Sequence, residues 1–340
     1  MKPVLLFSML LGLYGFLCLD SAVYAQNAGG PSHTRAAEHV GETVADRASE
    51  HYRFETFNLV SDDGQRHYRV QVGIPRIQPP QQHILYMLDG NAAIATLTAD
   101  HLAQLASGNA PVLVAIGYDI ATRNDVVSRA YDYTPPVFLN GERLENPVVR
   151  GRAGGGAGLF LELIDTQVKP KVRSLVDANG EEWIWGHSYG GLFALHVLFT
   201  RPESFDAYIV GDPSAWWYEG ALIKEWEGFD LAQATGKRVG ILVGTRPRPA
   251  GRPAPDDVVL NTGDGRSLSP REAVKEIAKG LQKVAHVEYR EFPDAGHGEM
   301  IEISLLHALR AISNVKLDLL EPVSCQRLDD PTPLMNILQP

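Results

Sequence analysis

Ser188 stands in the box Gly186-His187-Ser188-Tyr189-Gly190, with a glycine two places to either side. A serine hydroxyl is a weak nucleophile until a base takes its proton. On a tight, strained turn between a strand and a helix it is presented to substrate, and the N–H of the next residue points toward the oxyanion that attack creates. The flanks fit such a turn. Glu182-Trp183-Ile184-Trp185 is short, aromatic and β-branched, and Leu192–Leu198 is apolar and long enough for a buried helix. Ser188 is therefore the candidate nucleophile, and the backbone N–H of Tyr189 a candidate oxyanion donor.

A nucleophile of this kind needs a histidine, which in a strand–turn–helix setting comes last in chain order, after the final strand. His297 lies between two glycines in Asp294-Ala295-Gly296-His297-Gly298-Glu299, just past the strand-like run His286–Phe292. It is the candidate base, and the only one of the eleven histidines in that place. His187 and His196 flank the serine too closely and read as packing or polar satisfaction. The second oxyanion donor should follow an earlier strand. Ile84–Leu88 ends in Asp89-Gly90-Asn91-Ala92, which makes the backbone N–H of Asn91 the candidate. The alternative is a helix start capped by Asn91 or Asp89, and the two are compatible because a helix start is itself an anion site. The acid should follow the run Arg238–Val243, but Gly244-Thr245-Arg246-Pro247-Arg248 holds no carboxylate. Asp256 or Asp257, further along a Pro-rich stretch, is one candidate. The alternative is a dyad in which His297 is oriented by a carbonyl, a weaker partner or Glu299.

These residues must be positioned by a sheet. Arg53–Val60 and His67–Ile74 read as strands around the turn Asp62-Asp63-Gly64. Ile84–Leu88, Val112–Ile116, the elbow strand, Ala207–Val210, Arg238–Val243 and His286–Phe292 alternate with helical stretches at Ala92–Leu105, Ala157–Leu175, Pro270–Val284 and Met300–Asn314. That alternation predicts an α/β protein with a mostly parallel central sheet and helices on both faces. With the elbow and a late histidine it predicts the α/β-hydrolase fold. No stretch reads as an interdomain linker, so residues 51–340 form one catalytic domain. Gly154–Gly156 lacks the Lys-Ser/Thr tail of a phosphate loop and reads as a close chain crossing.

Composition bounds the rest. A chain of 340 residues, 44% hydrophobic, can bury one sizeable core. Lys2, the apolar run Val4–Leu17 and Val23-Tyr24-Ala25 read as a signal peptide over residues 1–25, too short in its apolar part for a stable membrane span. Its removal takes Cys18 and leaves Cys325 alone, so no internal disulfide is expected in an exported, periplasmic protein. Residues 26–50, polar and rich in Ala, Gly and Ser, read as a flexible leader. The net charge of −10 survives cleavage, because Lys2 and Asp20 cancel, and it argues against nucleic acid as a partner.

Several longer stretches carry a resemblance: Tyr86-Met87-Leu88-Asp89-Gly90-Asn91-Ala92-Ala93, Arg129-Ala130-Tyr131-Asp132-Tyr133-Thr134-Pro135, Gly154-Gly155-Gly156-Ala157 and Lys169-Pro170. The elbow continued to Gly191, Asp212-Pro213-Ser214-Ala215-Trp216-Trp217 and Gly296-His297-Gly298-Glu299-Met300 add to it. In these the chain resembles bacterial siderophore esterases of the trilactone-hydrolase type, which open the serine triester ring of enterobactin and salmochelin. The resemblance implies an iron-uptake esterase with Ser188 as nucleophile, His297 as base and Arg129 over the catecholate ligand. Periplasmic members carry an export leader, and some work as dyads, so the missing carboxylate after Val243 is then expected. Two positions depart from the family pattern. Thr245 stands where many relatives have glutamate, which leaves the third catalytic residue open. Gly211-Asp212 stands where serine commonly precedes the Pro-Ser pair, a change expected to matter little.

The substrate class that this implies has a chemistry of its own. A ferric tris-catecholate is a compact trianion with aromatic faces, so its site calls for arginines and rings. Arg129, Arg143, Arg150 and Arg152 lie in or beside the irregular segment ahead of the second helix, and Arg246, Arg248 and Arg252 follow a sheet strand. Arg129, Arg150, Arg152, Trp216 and Trp217 are the substrate-binding candidates, against the plainer reading of solvated loop charges and core tryptophans. The reaction needs no cofactor and no protein-bound metal; iron would arrive with the siderophore. The competing readings are a general carboxylesterase of feruloyl- or acetyl-esterase type, and a siderophore-binding protein that turns over poorly.

Overall fold

The computed structural model describes residues 36–248 and 257–315. Its centre is an eight-stranded sheet: β1 Tyr52–Val60, β2 His67–Pro75, β3 Ile84–Met87, β4 Val112–Tyr118, β5 Glu182–His187, β6 Ala207–Gly211, β7 Arg238–Gly244 and β8 His286–Phe292. The order is β1-β2-β4-β3-β5-β6-β7-β8. Only β2 runs against the others, pairing antiparallel with both β1 and β4. From β4 to β8 every pairing is parallel. This is the α/β-hydrolase arrangement, and it gathers the carboxyl ends of β3 and β5 to β8 along one edge.

Successive strand residues face opposite layers, and the core divides accordingly. Ile84, Tyr86, Ile184, Tyr208 and Val210 point to one side, while Leu85, Met87, Trp183, Trp185 and Ile209 point to the other. The first layer is covered by α4 Ala157–Leu163, α5 Lys169–Arg173, α6 Tyr189–Thr200, α7 Ala221–Gly228 and α8 Pro270–Leu281. The second is covered by α1 Gly90–Thr96, α2 Ala99–Ala106 and α9 Met300–Ser313. Helix α6 is buried from Tyr189 to Phe199, as befits a helix behind the central strands.

Two long helical readings are interrupted. The stretch Ala92–Leu105 splits at Leu97-Thr98, because the Thr98 hydroxyl accepts the His101 N–H and the His101 ring accepts the Thr98 N–H, a box that starts a new helix at α2. The stretch from Ala157 stays helical to Arg173 but widens into a π turn over Ile164–Val168. Pro170, one turn on, has no N–H to return to that segment.

Between β4 and α4 lies α3, Ser128–Asp132, followed by two short hairpins, 137–144 and 148–153. Asp132 anchors this region. It is 1% exposed, accepts the hydroxyls of Tyr68 and Tyr118 at 3.0 and 2.9 Å, and pairs with Arg66 at 3.0 Å. The leader reading needs correction over its described part. Residues 36–50 lie tied to the domain: the N–H groups of Val40 and Arg123 exchange hydrogen bonds with Ala121 and Glu38, Thr43 is bound to Asp46, and Val44 is buried in the second core layer. The signal-peptide residues, Cys18 and Cys325 lie outside the described residues. No helix among the described residues is long and apolar enough to cross a membrane.

Candidate active site

Strand β5 ends at His187 and α6 begins at Tyr189, leaving Ser188 alone to turn the chain, at φ 61° and ψ −115°. That positive φ is costly for a residue with a side chain, and the surroundings must impose it. They do so by close packing: a Cβ on Gly186 would run into the Gly190 carbonyl, so only glycine fits. The Ser188 N–H donates to Gly211 O at 2.9 Å, and its carbonyl accepts the Ser214 and Leu192 N–H groups. The hydroxyl is thus fixed at the sheet edge.

His297 comes from the loop after β8, and its Nε2 lies 3.0 Å from Ser188 Oγ. Its Nδ1 lies 2.5 Å from Oδ2 of Asp212. Burial works against a charge on Asp212, but the hydrogen bond and charge of His297 outweigh it and hold the carboxyl below the usual carboxylate range. An ionised carboxylate can only accept, so Nδ1 carries the proton and Nε2 is left bare to accept from the Ser188 hydroxyl. Ser188, His297 and Asp212 form a complete triad.

The acid therefore comes from the end of β6. The carboxylate seen on His297 is that of Asp212, not Asp257, and Asp256 lies outside the described residues. The substitution in Gly211-Asp212, expected to matter little, is the one that supplies a carboxylate. Asp212 adopts φ 42°, with its N–H donating to Leu242 O on β7 at 2.7 Å, and that turn swings the side chain toward His297. Strands β6 and β7 are neighbours, so their carboxyl ends lie within reach of the same imidazole. Glu299 does not orient the ring: it accepts from Arg246 and from the Gly296 N–H, each at 2.6 Å, and braces the loop that carries His297.

His187 sits beneath this loop, its ring centroid 4.7 Å from that of His297. Burial first, and next the charge of His297, push the His187 ring down to about 3, so it is neutral. Its Nε2–H donates to the His297 carbonyl at 2.8 Å. His196 is paired with Glu225 at 2.8 Å.

Tyr189 and Asn91 occupy the first turns of α6 and α1, where backbone N–H groups have no acceptor within their own helix. The carboxamide of Asn91 has a separate task. Its Oδ1 accepts the Tyr118 N–H, and its Nδ2 donates to the carbonyls of Tyr118, Ile120 and Thr122. Asp89 holds the N-cap place of α1 at φ 49°, but its carboxylate makes no cap bond. It accepts Nε and Nη2 of Arg129, both at 2.7 Å.

Beside the triad, rings and guanidiniums form a row. Arg129 lies 5.2 Å from the Tyr189 ring, Tyr189 lies 5.9 Å from Trp216, and Arg150 lies 4.4 Å from Trp216. Arg152 is near enough for its charge to act on Tyr189. Among the described residues no carboxylate is paired with Arg150 or Arg152. Trp217 departs from the expectation. It is 2% exposed and lies against Gly154, whose missing side chain makes room for the indole, so it belongs to the core. Arg143 is used to hold the Gly155 carbonyl and Arg246 to hold Glu299; Arg252 lies outside the described residues.

Residues 61–299 match the family model described as "Putative esterase". The chain belongs to this esterase family. It is 32% identical over 281 residues, 81% of its length and 83% of the relative's, to an apo-salmochelin esterase of Escherichia coli O6:H1. It is 31% identical to a siderophore enterobactin esterase of Emericella nidulans, over 68% of this chain and 82% of that one. Among solved structures, the enterobactin hydrolase IroE in complex with DFP superposes with a TM-score of 0.65 at 31% identity, covering 79% of this chain and 98% of that one. DFP is an organophosphorus reagent of serine hydrolases. The esterase is a serine ester hydrolase of the α/β-hydrolase superfamily.

Proposed function

We propose that this esterase hydrolyses the ester bonds of a catecholate siderophore, an enterobactin-type trilactone carried as its ferric complex, and so releases iron in the periplasm. The observation that carries this reading is the row Arg129, Tyr189, Trp216 and Arg150 leading away from Ser188. Two adjacent aromatic faces flanked by guanidiniums suit a ligand that is both aromatic and anionic. The named activities of the relatives lie in the same class, and the export of the chain rests on its first 25 residues.

In this mechanism His297 Nε2 takes the proton of Ser188 as Oγ attacks the ester carbonyl, and Asp212 stabilises the imidazolium that forms. The N–H groups of Tyr189 and Asn91 receive the oxyanion. His297 returns the proton to the departing serine hydroxyl of the trilactone, which leaves an acyl-enzyme on Ser188. A water, deprotonated by His297, then releases the acid and restores Ser188. Arg129, held flat by Asp89, the half-buried Arg152 and the exposed Arg150 seat the catecholates.

The test is mass-resolved product analysis of residues 26–340 with ferric and with iron-free enterobactin, beside Ser188→Ala. Linear trimer, dimer or monomer should appear with the wild type alone, faster from the ferric complex. An intact triester, with a simple nitrophenyl ester still cleaved, would replace the siderophore with a general carboxylesterase substrate. Tight binding of the ferric complex without cleavage of either compound would make the protein a binder.

A further inference from the structure

The turn after β6 brings a second hydroxyl to the nucleophile. Ser214 is 2% exposed, its N–H donates to the Ser188 carbonyl at 3.1 Å, and its Oγ lies 3.2 Å from Ser188 Oγ. The single proton of Ser188 is given to His297 Nε2, so the contact between the two serines is filled by the Ser214 O–H. Among the described residues this is the one hydrogen bond the Ser214 hydroxyl makes.

We propose that Ser214 is a catalytic residue of deacylation, donating its O–H to Ser188 Oγ as that oxygen leaves the acyl group. The proposal rests on Ser188 being the nucleophile. In the acyl-enzyme, Oγ is an ester oxygen and a poor acceptor. Water adds to the acyl carbon and passes its proton to His297 Nε2. The tetrahedral intermediate then collapses, the C–Oγ bond breaks, its electron pair goes to Oγ, and Nε2 returns the proton there. Negative charge grows on Oγ before that proton arrives, and a donor already aimed at it binds the transition state more strongly than the acyl-enzyme. Acylation gains nothing from the same bond, because a donor on the attacking oxygen withdraws electron density from it. Ser214 thus acts on one half of the cycle.

Single turnover with p-nitrophenyl dimethylcarbamate separates the two halves. Carbamoylation is read by nitrophenolate release, and decarbamoylation by the return of the unmodified mass. In Ser214→Ala, decarbamoylation should slow by about tenfold to a hundredfold, with carbamoylation within about threefold of wild type. Ser214→Cys, which fills the space with a weak donor, should behave alike and serves if the alanine variant does not fold. Ser214→Thr, which keeps the O–H, should recover most of the decarbamoylation rate. Equal slowing of both steps would mean that Ser214 only shapes the elbow, and an unchanged decarbamoylation rate would mean that its hydroxyl is idle; either overturns the proposal. If wild type carries no carbamoyl group on Ser188, the nucleophile assignment fails, and that result is distinct from both.

Discussion

Asp212 keeps the proton of His297 on Nδ1, and without a carboxylate there the base has no fixed tautomer. Asp212→Asn keeps the shape and removes the charge. Its kcat for a nitrophenyl ester should fall by about 10³- to 10⁴-fold with KM little changed, and steady-state kinetics at neutral pH read this directly. A loss below about tenfold would mean that Ser188 and His297 work as a dyad. Ser188 and His297 were legible because each is announced locally, by an elbow in which Gly186 is sterically required and by chain order. The acid was not, because its place after the seventh strand is a convention of topology. Two adjacent parallel strands end at the same histidine, and either can supply it. The one sequence signal was the carboxylate standing in Asp212-Pro213-Ser214 where serine is usual.

At the scale of elements, Asn91 ties the start of α1 to the run that leaves β4. Four hydrogen bonds join its carboxamide to Tyr118, Ile120 and Thr122 in a site only 5% exposed. Asn91→Ala leaves these buried partners unmatched and should cost about 2–4 kcal/mol, measured as a lower urea midpoint with an unchanged slope. Because α1 also carries a proposed oxyanion donor, kcat should fall in the same variant. An unaltered midpoint would show that water replaces the carboxamide. Strands β3 to β7 were legible because apolar runs buried on both faces have few other structures open to them, whereas β1 and β8 are edge strands with several exposed or half-buried residues, and β1 was legible through the turn Asp62-Asp63-Gly64 that pairs it with β2. Helix α7 and the hairpins at 137–144 and 148–153 were not: they are short, several of their residues are exposed, and tertiary contacts decide them more than local pattern does. The break before α2 had a visible cause in Thr98 and His101, but a histidine in place of Glu or Gln disguised the box.

Over the whole molecule, Asp132 couples stability to pH. Burial raises its carboxyl to about 7 against the pull of Arg66 and the two tyrosine hydroxyls. The folded protein then holds a proton that the unfolded chain releases near pH 3.9. This group's contribution is full below about pH 4, declines as pH rises toward 7, and is level above it. Asp132→Asn cannot titrate, so urea titrations at several values from pH 5 to pH 8 should show the wild-type advantage shrinking as pH rises. A constant difference would mean that Asp132 is ionised throughout. The ion pair of Arg129 has a different reach. Arg129 enters the site as half of a neutral couple with Asp89, whereas no carboxylate among the described residues offsets Arg150 or Arg152. Range and aim are thereby divided between cations. Under the proposed function, the hairpin arginines should draw an anionic substrate in from a distance and lose that pull as salt screens them, while Arg129 should act only at contact and keep its hold at high salt.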